Sequence, residues 1–318
     1  MTKISIITPA YNAEKTIKRC VKSVFNNDFK EYVEFIVVDD HSTDNTIKAL
    51  EELRGLKPDN IDLKIISNKE NKGVSESRIV GLSYANGDYV AFLDADDEVS
   101  PEFLSTIYQE MSNNHLDVLA FNCNVDDESG RWMLIDQTIR CNLEKYGYLK
   151  EALVFGEDGY LCLHAYKSSV LKATELEKLE RLTFTEDLNI NIEIARKNII
   201  NFSFLDRNIY TYYFPVGSHI SRINYKKMMD GLYVINKRFD IIKNNYPELL
   251  NDYKIGNLKA TLRLIHAVKS TSNFTKKEKR LHLKHIKSQE CIKFTLRIGF
   301  KNFMRLGMKD KIRYILYK

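Results

Sequence analysis

Residues 89–97 read Tyr89-Val90-Ala91-Phe92-Leu93-Asp94-Ala95-Asp96-Asp97, a run of apolar and aromatic residues ending in three carboxylates within four positions. A continuous apolar run suits a strand buried on both faces, the pattern of a parallel sheet covered by helices. The same pattern recurs towards the N-terminus. Ile4-Ser5-Ile6-Ile7-Thr8 is a β-branched run ended by Pro9, Glu34-Phe35-Ile36-Val37-Val38 ends in Asp39-Asp40, and Leu63-Lys64-Ile65-Ile66 precedes Asn68 to Gly73. Between these runs, apolar residues fall at helical spacing: Ile17, Cys20, Val21, Val24 and Phe25, then Ile47, Leu50 and Leu53, then Ile79, Leu82 and Ala85. Ser42 or Thr43 is placed to cap the second of these helices. The alternation predicts an α/β fold with a mostly parallel sheet flanked by helices. In open sheets of this kind ligands bind beyond the carboxyl ends of the strands. The polar clusters Thr8 to Asn12, Asp39-Asp40, Asn68 to Gly73 and Asp94 to Asp97 all sit at such ends.

The chain has 318 residues, enough for one large domain with an appended segment or for two domains. With 44% hydrophobic and 29% charged residues it is ordinary globular material. Five cysteines, at 20, 123, 141, 162 and 291, form no C-x-x-C pair, which argues against a structural zinc site and a disulfide framework and for a reducing, cytoplasmic compartment. The first twelve residues predict no signal peptide, and no run approaches the ~18 apolar residues of a spanning helix. Charge is unevenly distributed. Residues 222–318 hold 24 Lys and Arg against 7 Asp and Glu, while residues 1–221 hold 24 against 36. An acidic body with a basic tail suggests two regions with different partners. The tail from about 225 is helical in pattern, with Leu232, Ile235, Phe239 and Ile242, then Leu258, Leu262 and Ile265.

Two common phosphate cradles are missing. The first strand runs into Pro9-Ala10-Tyr11-Asn12-Ala13-Glu14, with neither G-x-G-x-x-G nor G-x-x-x-x-G-K-[ST], so a dinucleotide oxidoreductase and a P-loop kinase both lose ground. Asp94-Ala95-Asp96-Asp97 offers another way to neutralise phosphates. On an extended chain residues 94 and 96 point to one side, and paired carboxylates with substrate phosphates are the usual ligands of Mg²⁺ or Mn²⁺. The same string also reads as turn formers and helix caps ahead of Pro101.

Four segments taken together resemble the family 2 glycosyltransferases, which have the GT-A fold: Ile6 to Asn12 (IITPAYN), Ile36 to Asp44 (IVVDDHSTD), Asn71 to Arg78 (NKGVSESR) and Ala91 to Asp97 (AFLDADD). Their order, spacing and strand context match over about the first 100 residues. The resemblance implies an inverting transferase using a nucleotide-diphosphate sugar, most often a UDP-sugar, with Mn²⁺ or Mg²⁺. It implies a GT-A catalytic domain over 1–221, with a nucleotide-binding half in 1–100 and an acceptor-binding half in 101–221, followed by a basic helical region over 222–318. It places Pro9, Tyr11, Asn12, Asp39, Arg78, Asp94 and Ala95 at the nucleotide sugar, and Asp96 on the metal, with Asp94 and His219 as further metal contacts. Ser77 and Ile79 stand where the family usually has Ala and Asn around the arginine.

Inversion needs a base to take the acceptor's proton. In the family this is an acidic residue of a later Glu-Asp pair, which matches Glu186-Asp187, with Asp187 the base and Glu186 its support. Thr185 and Asp187 ahead of Ile190 and Ile194 also read as a helix-capping segment, and the two readings are compatible. Upstream, Leu163-His164-Ala165-Tyr166-Lys167 replaces the common Trp-x-Lys-Leu-Tyr. Tyr212 to Ser221 resembles the Tyr-rich loop that closes over the diphosphate in some members, which brings Arg222 into view beside His219. The acceptor is expected to be a glycan or lipid-linked hydroxyl, in cell-envelope polysaccharide synthesis. Lys293, Arg297, Lys301 and Arg305 recur every four residues beside Ile292, Leu296, Phe300, Phe303 and Leu306, so residues 292–318 suit a peripheral helix on an anionic membrane surface at its inner face. A terminal bundle packed on its own protein is the plainer reading. A sugar nucleotidyltransferase, or a non-catalytic module binding nucleotide sugars or an anionic polymer, are the competing functions. The missing Gly-rich basic loop disfavours the first, and the acidic body without a recognition motif disfavours nucleic acid as a partner.

Overall fold

The computed structural model describes residues 3–127, 147–155, 159–197, 200–214, 223–297, 311 and 314. The chain opens with β1 (Ile4–Ala10), α1 (Ile17–Phe25), β2 (Val33–Asp39), α2 (Thr46–Arg54), β3 (Ile61–Ser67), α3 (Val74–Tyr84) and β4 (Tyr89–Phe92). Then come β5 (Glu98–Val99), α4 (Phe103–Asn113), β6 (Val118–Asp127), α5 (Gly147–Lys150), β7 (His164–Lys167), α6 (Ser168–Thr174), α7 (Glu186–Lys197) and β8 (Phe202–Phe214). Four helices follow: α8 (Tyr225–Asn245), α9 (Leu250–Ser270), α10 (Lys276–Ser288) and α11 (Glu290–Leu296). The chain forms two compact units, one of residues 1–148, 160–181 and 193–216, the other of residues 149–159, 182–192 and 217–318. Residues 182–192 thus belong with the C-terminal helices.

The first unit is built on an eight-stranded sheet in the order β3-β2-β1-β4-β7-β6-β8-β5. β1 lies parallel between β2 and β4, and β2 parallel to β3, as the apolar runs predict. β4–β7, β7–β6 and β8–β5 are antiparallel, and β6–β8 is parallel. Every residue of β1 and β2 is buried, Glu34 included. Glu34 is tolerated because Lys64 Nζ (2.7 Å), Asn86 N–H (2.7 Å) and Nδ2 (3.0 Å) and the Ser5 hydroxyl (2.7 Å) all donate to it. A buried carboxylate needs such partners to stay charged.

Two expectations are corrected here. Pro9 does not end β1 but lies within it, opposite Val38. Pairing with β4 stops at Ile7, so Pro9 sits where β1 has become an edge, the place a sheet accepts a residue without an N–H. Ser42 and Thr43 do not cap α2. That helix starts at Thr46, with the Asp44 carboxylate accepting the Thr46 N–H at 3.0 Å.

α3 lies close against β1. A Cβ on Gly81 would come within 2.4 Å of Ile7 Cγ2, so only glycine permits the approach. Arg78, one turn earlier, shares that inward face.

The second unit is a helical assembly around Leu232, Ile235, Phe239, Leu258, Leu262 and Ile265, all buried. Polar groups tie its elements together. The buried Arg238 donates to the Leu153 and Val154 carbonyls at 2.8 and 2.7 Å, and the Tyr253 hydroxyl to the Ile235 carbonyl at 3.0 Å. Asn224 caps α8, and Thr275 with Glu278 forms a capping box on α10. The helix expected to run through residues 292–318 stops at Leu296. Ile292 and Leu296, expected on its lipid face, are buried, and Phe294 meets Phe239 at 5.4 Å between ring centroids. Phe300, Lys301, Phe303, Arg305 and Leu306 lie outside the described residues. Among the described residues no helix is long and apolar enough to cross a membrane, and Cys20, Cys123, Cys162 and Cys291 form no disulfide with one another.

Candidate active site

At the carboxyl ends of β1, β2, β3 and β4 the polar clusters brace one another. Asn12, with a left-handed backbone (φ 49°), donates its N–H to Ser42 Oγ at 2.9 Å and accepts the Thr43 N–H on its side-chain oxygen at 2.8 Å. This joins the loop after β1 to the loop after β2. Tyr11 on the first loop is 52% exposed, an aromatic face open to solvent. Asp39 is buried, with its carboxylate oxygens 3.2 and 3.4 Å from the Ser42 N–H that donates to them. Its neighbour Asp40, which the sequence did not single out, holds the next loop. It accepts the Lys72 N–H at 2.9 Å, the Gly73 N–H at 2.7 Å and the Asn68 amide at 2.8 Å. Gly73, at φ 89°, supplies the backbone conformation that this loop needs before α3.

Arg78 is not a solvated helix residue. It is 4% exposed and its guanidinium donates to Asp94 Oδ1 at 2.9 Å, so the arginine and the acidic turn are brought together.

The acidic string is not an extended chain. β4 ends at Phe92, and the Asp97 N–H donates to the Asp94 carbonyl at 3.1 Å, closing a turn. A turn brings its first and fourth residues close. Ligand atoms of Asp94, Asp97 and Cys162 accordingly lie within 4.8 Å of one another, a set that leaves out Asp96. Asp97 is fully buried, and both of its oxygens are engaged: Oδ2 accepts the Tyr210 hydroxyl at 2.6 Å and Oδ1 the Tyr213 N–H at 2.8 Å. Burial first, then the charges of Asp94 and Asp96, pushes its carboxyl up to about 8. Burial and Asp94 also raise Asp96, partly offset by Arg19.

The donor set fits a hard cation, with one qualification of chemistry. Carboxylate oxygens suit Mg²⁺ or Mn²⁺, whereas the Cys162 thiol is a soft ligand and Asp97 already serves the β8 backbone. Asp94 and Asp96 are the partly exposed carboxylates of the turn. They are the residues that would hold the ion.

Three further residues shape the turn; Arg19 and Tyr210 were not singled out in the sequence, and Tyr213 was noted there only within the Tyr-rich stretch. Arg19 on α1 donates to the Asp96 carbonyl at 2.5 Å, pairs with Glu98 at 2.8 Å and stacks 3.6 Å above the Tyr213 ring. Tyr210 accepts the Asp94 N–H at 3.2 Å while donating to Asp97. Tyr213 lies in β8; of the Tyr-rich stretch, Tyr212 and Tyr213 are strand residues and not loop. His219 and Arg222 lie outside the described residues.

Glu186 and Asp187 form the first turn of α7 and belong to the second unit. Both are half-buried. The residue before them, Thr185, is left-handed at φ 62°, an outlier for a β-branched side chain, and its carbonyl accepts the Asn189 N–H at 3.1 Å. His164, in the segment that departs from the family pattern, is buried with Nδ1 2.8 Å from the Tyr160 carbonyl.

The glycosyl transferase family 2 model matches residues 5–168, more than half of the chain and the whole of the braced strand ends. The chain belongs to glycosyl transferase family 2. It is 34% identical over 128 residues to the GalNAc(5)-diNAcBac-PP-undecaprenol beta-1,3-glucosyltransferase of Campylobacter jejuni, a stretch covering 40% of this chain and 40% of that protein. The chain spans well under half the length of that relative and of others it resembles. Among solved structures, Staphylococcus aureus TarS 1–349 in complex with UDP-GlcNAc superposes with a TM-score of 0.62 at 20% identity, covering 93% of this chain and 90% of that one. The mannosyltransferase PcManGT from Pyrobaculum calidifontis, in complex with GDP-Man and Mn²⁺, gives 0.58 at 15% identity, covering 99% and 86%. These likenesses are of fold, and the family 2 member described here has the GT-A fold expected from its sequence.

Proposed function

We propose that this family 2 member is an inverting glycosyltransferase that moves a hexosyl or N-acetylhexosaminyl group from a UDP-sugar to a hydroxyl of a glycan or lipid-linked acceptor. The observation that carries the reading is the Arg78–Asp94 pair at 2.9 Å, set at the sheet's carboxyl end beside the closed Asp94–Asp97 turn. An arginine buried against the Asp94 carboxylate, with the Asp96 carboxylate two positions further on in the same turn, is suited to a diphosphate and its cation. The names of the relatives, a glucosyltransferase and the UDP-GlcNAc-binding TarS, support a nucleotide-sugar donor.

In this reading Tyr11 stacks on the base, Asp39 accepts from the base or ribose, and Pro9, Asn12 and Ala95 line the same pocket. Arg78 and Asp94 face ribose and phosphate, and Asp96 is the principal metal ligand. A bound Mn²⁺ or Mg²⁺ supplies charge neutralisation for the departing diphosphate. Asp187 takes the proton of the acceptor hydroxyl as its oxygen attacks the anomeric carbon from the face opposite the diphosphate. The new carbon–oxygen bond forms, the bond to the phosphate oxygen breaks, and UDP leaves with its electron pair. Glu186 supports the orientation of Asp187. UDP release with Mn²⁺ across a panel of UDP-sugars tests the proposal. Pyrophosphate release from UTP and a sugar 1-phosphate would point instead to nucleotidyl transfer, and turnover of neither substrate set to a binding module.

The basic C-terminal region is proposed to hold the enzyme at an anionic membrane surface on the cytoplasmic side. α10 supports this, because Lys276, Lys277, Arg280 and Lys284 are exposed along it together with Leu281.

A further inference from the structure

α8 reaches the segment that carries Asp187 at two points. Near its start, the Asp230 carboxylate accepts both the Thr183 N–H (2.8 Å) and the Thr183 hydroxyl (2.9 Å) on one oxygen. Two turns later, Lys237 donates to the Asn189 side-chain oxygen at 2.6 Å. Seven residues apart, Asp230 and Lys237 lie on the same helix face. Between them Gly231 faces the Phe184 ring, which a Cβ would meet at 3.6 Å, an ordinary contact distance. Asp230 and Asn189 are both buried.

The stretch held in this way, Thr183 to Asn189, contains the left-handed Thr185 followed by Glu186 and Asp187. A β-branched residue at φ 62° is strained and persists only where its surroundings over-determine it. Within the second unit those surroundings are α8. We propose that Asp230 and Lys237 are positioning residues for the general base. Helix α8 acts as a splint that fixes the first turn of α7 and so the direction in which Asp187 presents its carboxylate. The inference rests on the assignment of Asp187 as the base.

The test follows UDP release from whichever of a panel of UDP-hexoses and UDP-N-acetylhexosamines the full-length protein hydrolyses fastest with Mn²⁺, water serving as acceptor. Asp230→Ala is expected to lower kcat by at least ~10-fold, the scale set by a misplaced catalytic group, with the donor KM and the calorimetric affinity for UDP–Mn²⁺ unchanged. Asp230→Asn keeps an oxygen able to accept the Thr183 N–H and should recover most of the loss. The idea is overturned if Asp230→Ala keeps its kcat, if its defect lies in donor KM or UDP affinity, or if Asp230→Asn is no better than alanine. Asp187→Asn in the same assay separates the layers. If that variant keeps its kcat, the base assignment falls and takes the splint with it. If it loses kcat while Asp230→Ala does not, only the splint falls.

Discussion

The Tyr210 hydroxyl donates to the buried Asp97 carboxylate at 2.6 Å while accepting the Asp94 N–H at 3.2 Å, so one phenol oxygen grips both ends of the acidic turn. Tyr210 stands near the middle of β8, on a strand distant in sequence from the carboxylates it sets. The turn therefore owes its shape to the sheet as well as to its own Asp97–Asp94 backbone bond.

Tyr210→Phe removes that oxygen and leaves a buried acceptor and a buried donor without their partner. A loss of about 1–3 kcal/mol in folding stability is expected. Denaturant unfolding measures it, and calorimetry should show weaker Mn²⁺–UDP binding in the folded variant. Unchanged metal affinity would mean that the turn holds its geometry unaided.

Asp96→Asn should abolish metal-dependent UDP release while leaving the far-ultraviolet circular dichroism spectrum intact. Wild-type activity is expected to vanish with EDTA and return with Mn²⁺. Turnover that persists under EDTA contradicts the metal assignment.

Asp187→Asn is expected to reduce kcat by at least ~10²-fold, the low end for a positioned base, with little change in UDP affinity. A variant that loses UDP binding yet keeps its rate at saturation would move Asp187 out of the base role.

Glu34 gives stability a pH dependence of definite sign. Burial alone would raise its pKa, but donation from Lys64, Asn86 and Ser5 outweighs burial and lowers it to about 2. A carboxyl depressed in the folded state stabilises above its unfolded pKa and loses that contribution as pH falls through the folded one. Against an ordinary glutamate the shift corresponds to about 3 kcal/mol at neutral pH. The stability difference between wild type and Glu34→Gln should therefore be largest near neutrality and shrink from about pH 4.5 towards pH 2. Equal differences at pH 7 and pH 3 would contradict it.

Attachment through the basic region predicts co-sedimentation with vesicles containing anionic lipid but not with neutral vesicles, weakening as salt rises. Replacing Lys276, Lys277, Arg280 and Lys284 with Gln should lower the bound fraction. Binding indifferent to lipid charge would exclude this mode of attachment.

The parallel half of the sheet was legible because a strand covered on both faces must be apolar at every position, and β1, β2 and β4 carry that signature without need of long-range information. The four polar clusters were legible because each follows such a strand. The shape of the acidic turn was not. Alternation of side chains holds only while the chain is a strand, and β4 ends at Phe92, before the first aspartate. Arg78 was singled out through the family pattern, but its burial was not legible, because it depends on Gly81 letting α3 close onto Ile7, a contact made 74 positions away. Asp230 and Lys237 drew no reading from the sequence, since nothing local announces that Thr183 and Asn189 will meet them. Arg19, Tyr210 and Asp40 escaped for the same reason: each acts on a backbone group far off in the chain.

The second unit collects residues 149–159 and 182–192 with everything after 217, which sets an order of events during synthesis. All eight strands have been made once residue 214 is added, so β8 leaves the ribosome ahead of α8 and the sheet can be completed before the C-terminal helices emerge. The segment bearing Asp187 emerges before that point, but the helix that holds Thr183 and Asn189 comes only afterwards. A chain cut short before α8 would therefore hold all eight strands together with Thr183 to Asn189, but neither Asp230 nor Lys237 to hold that segment.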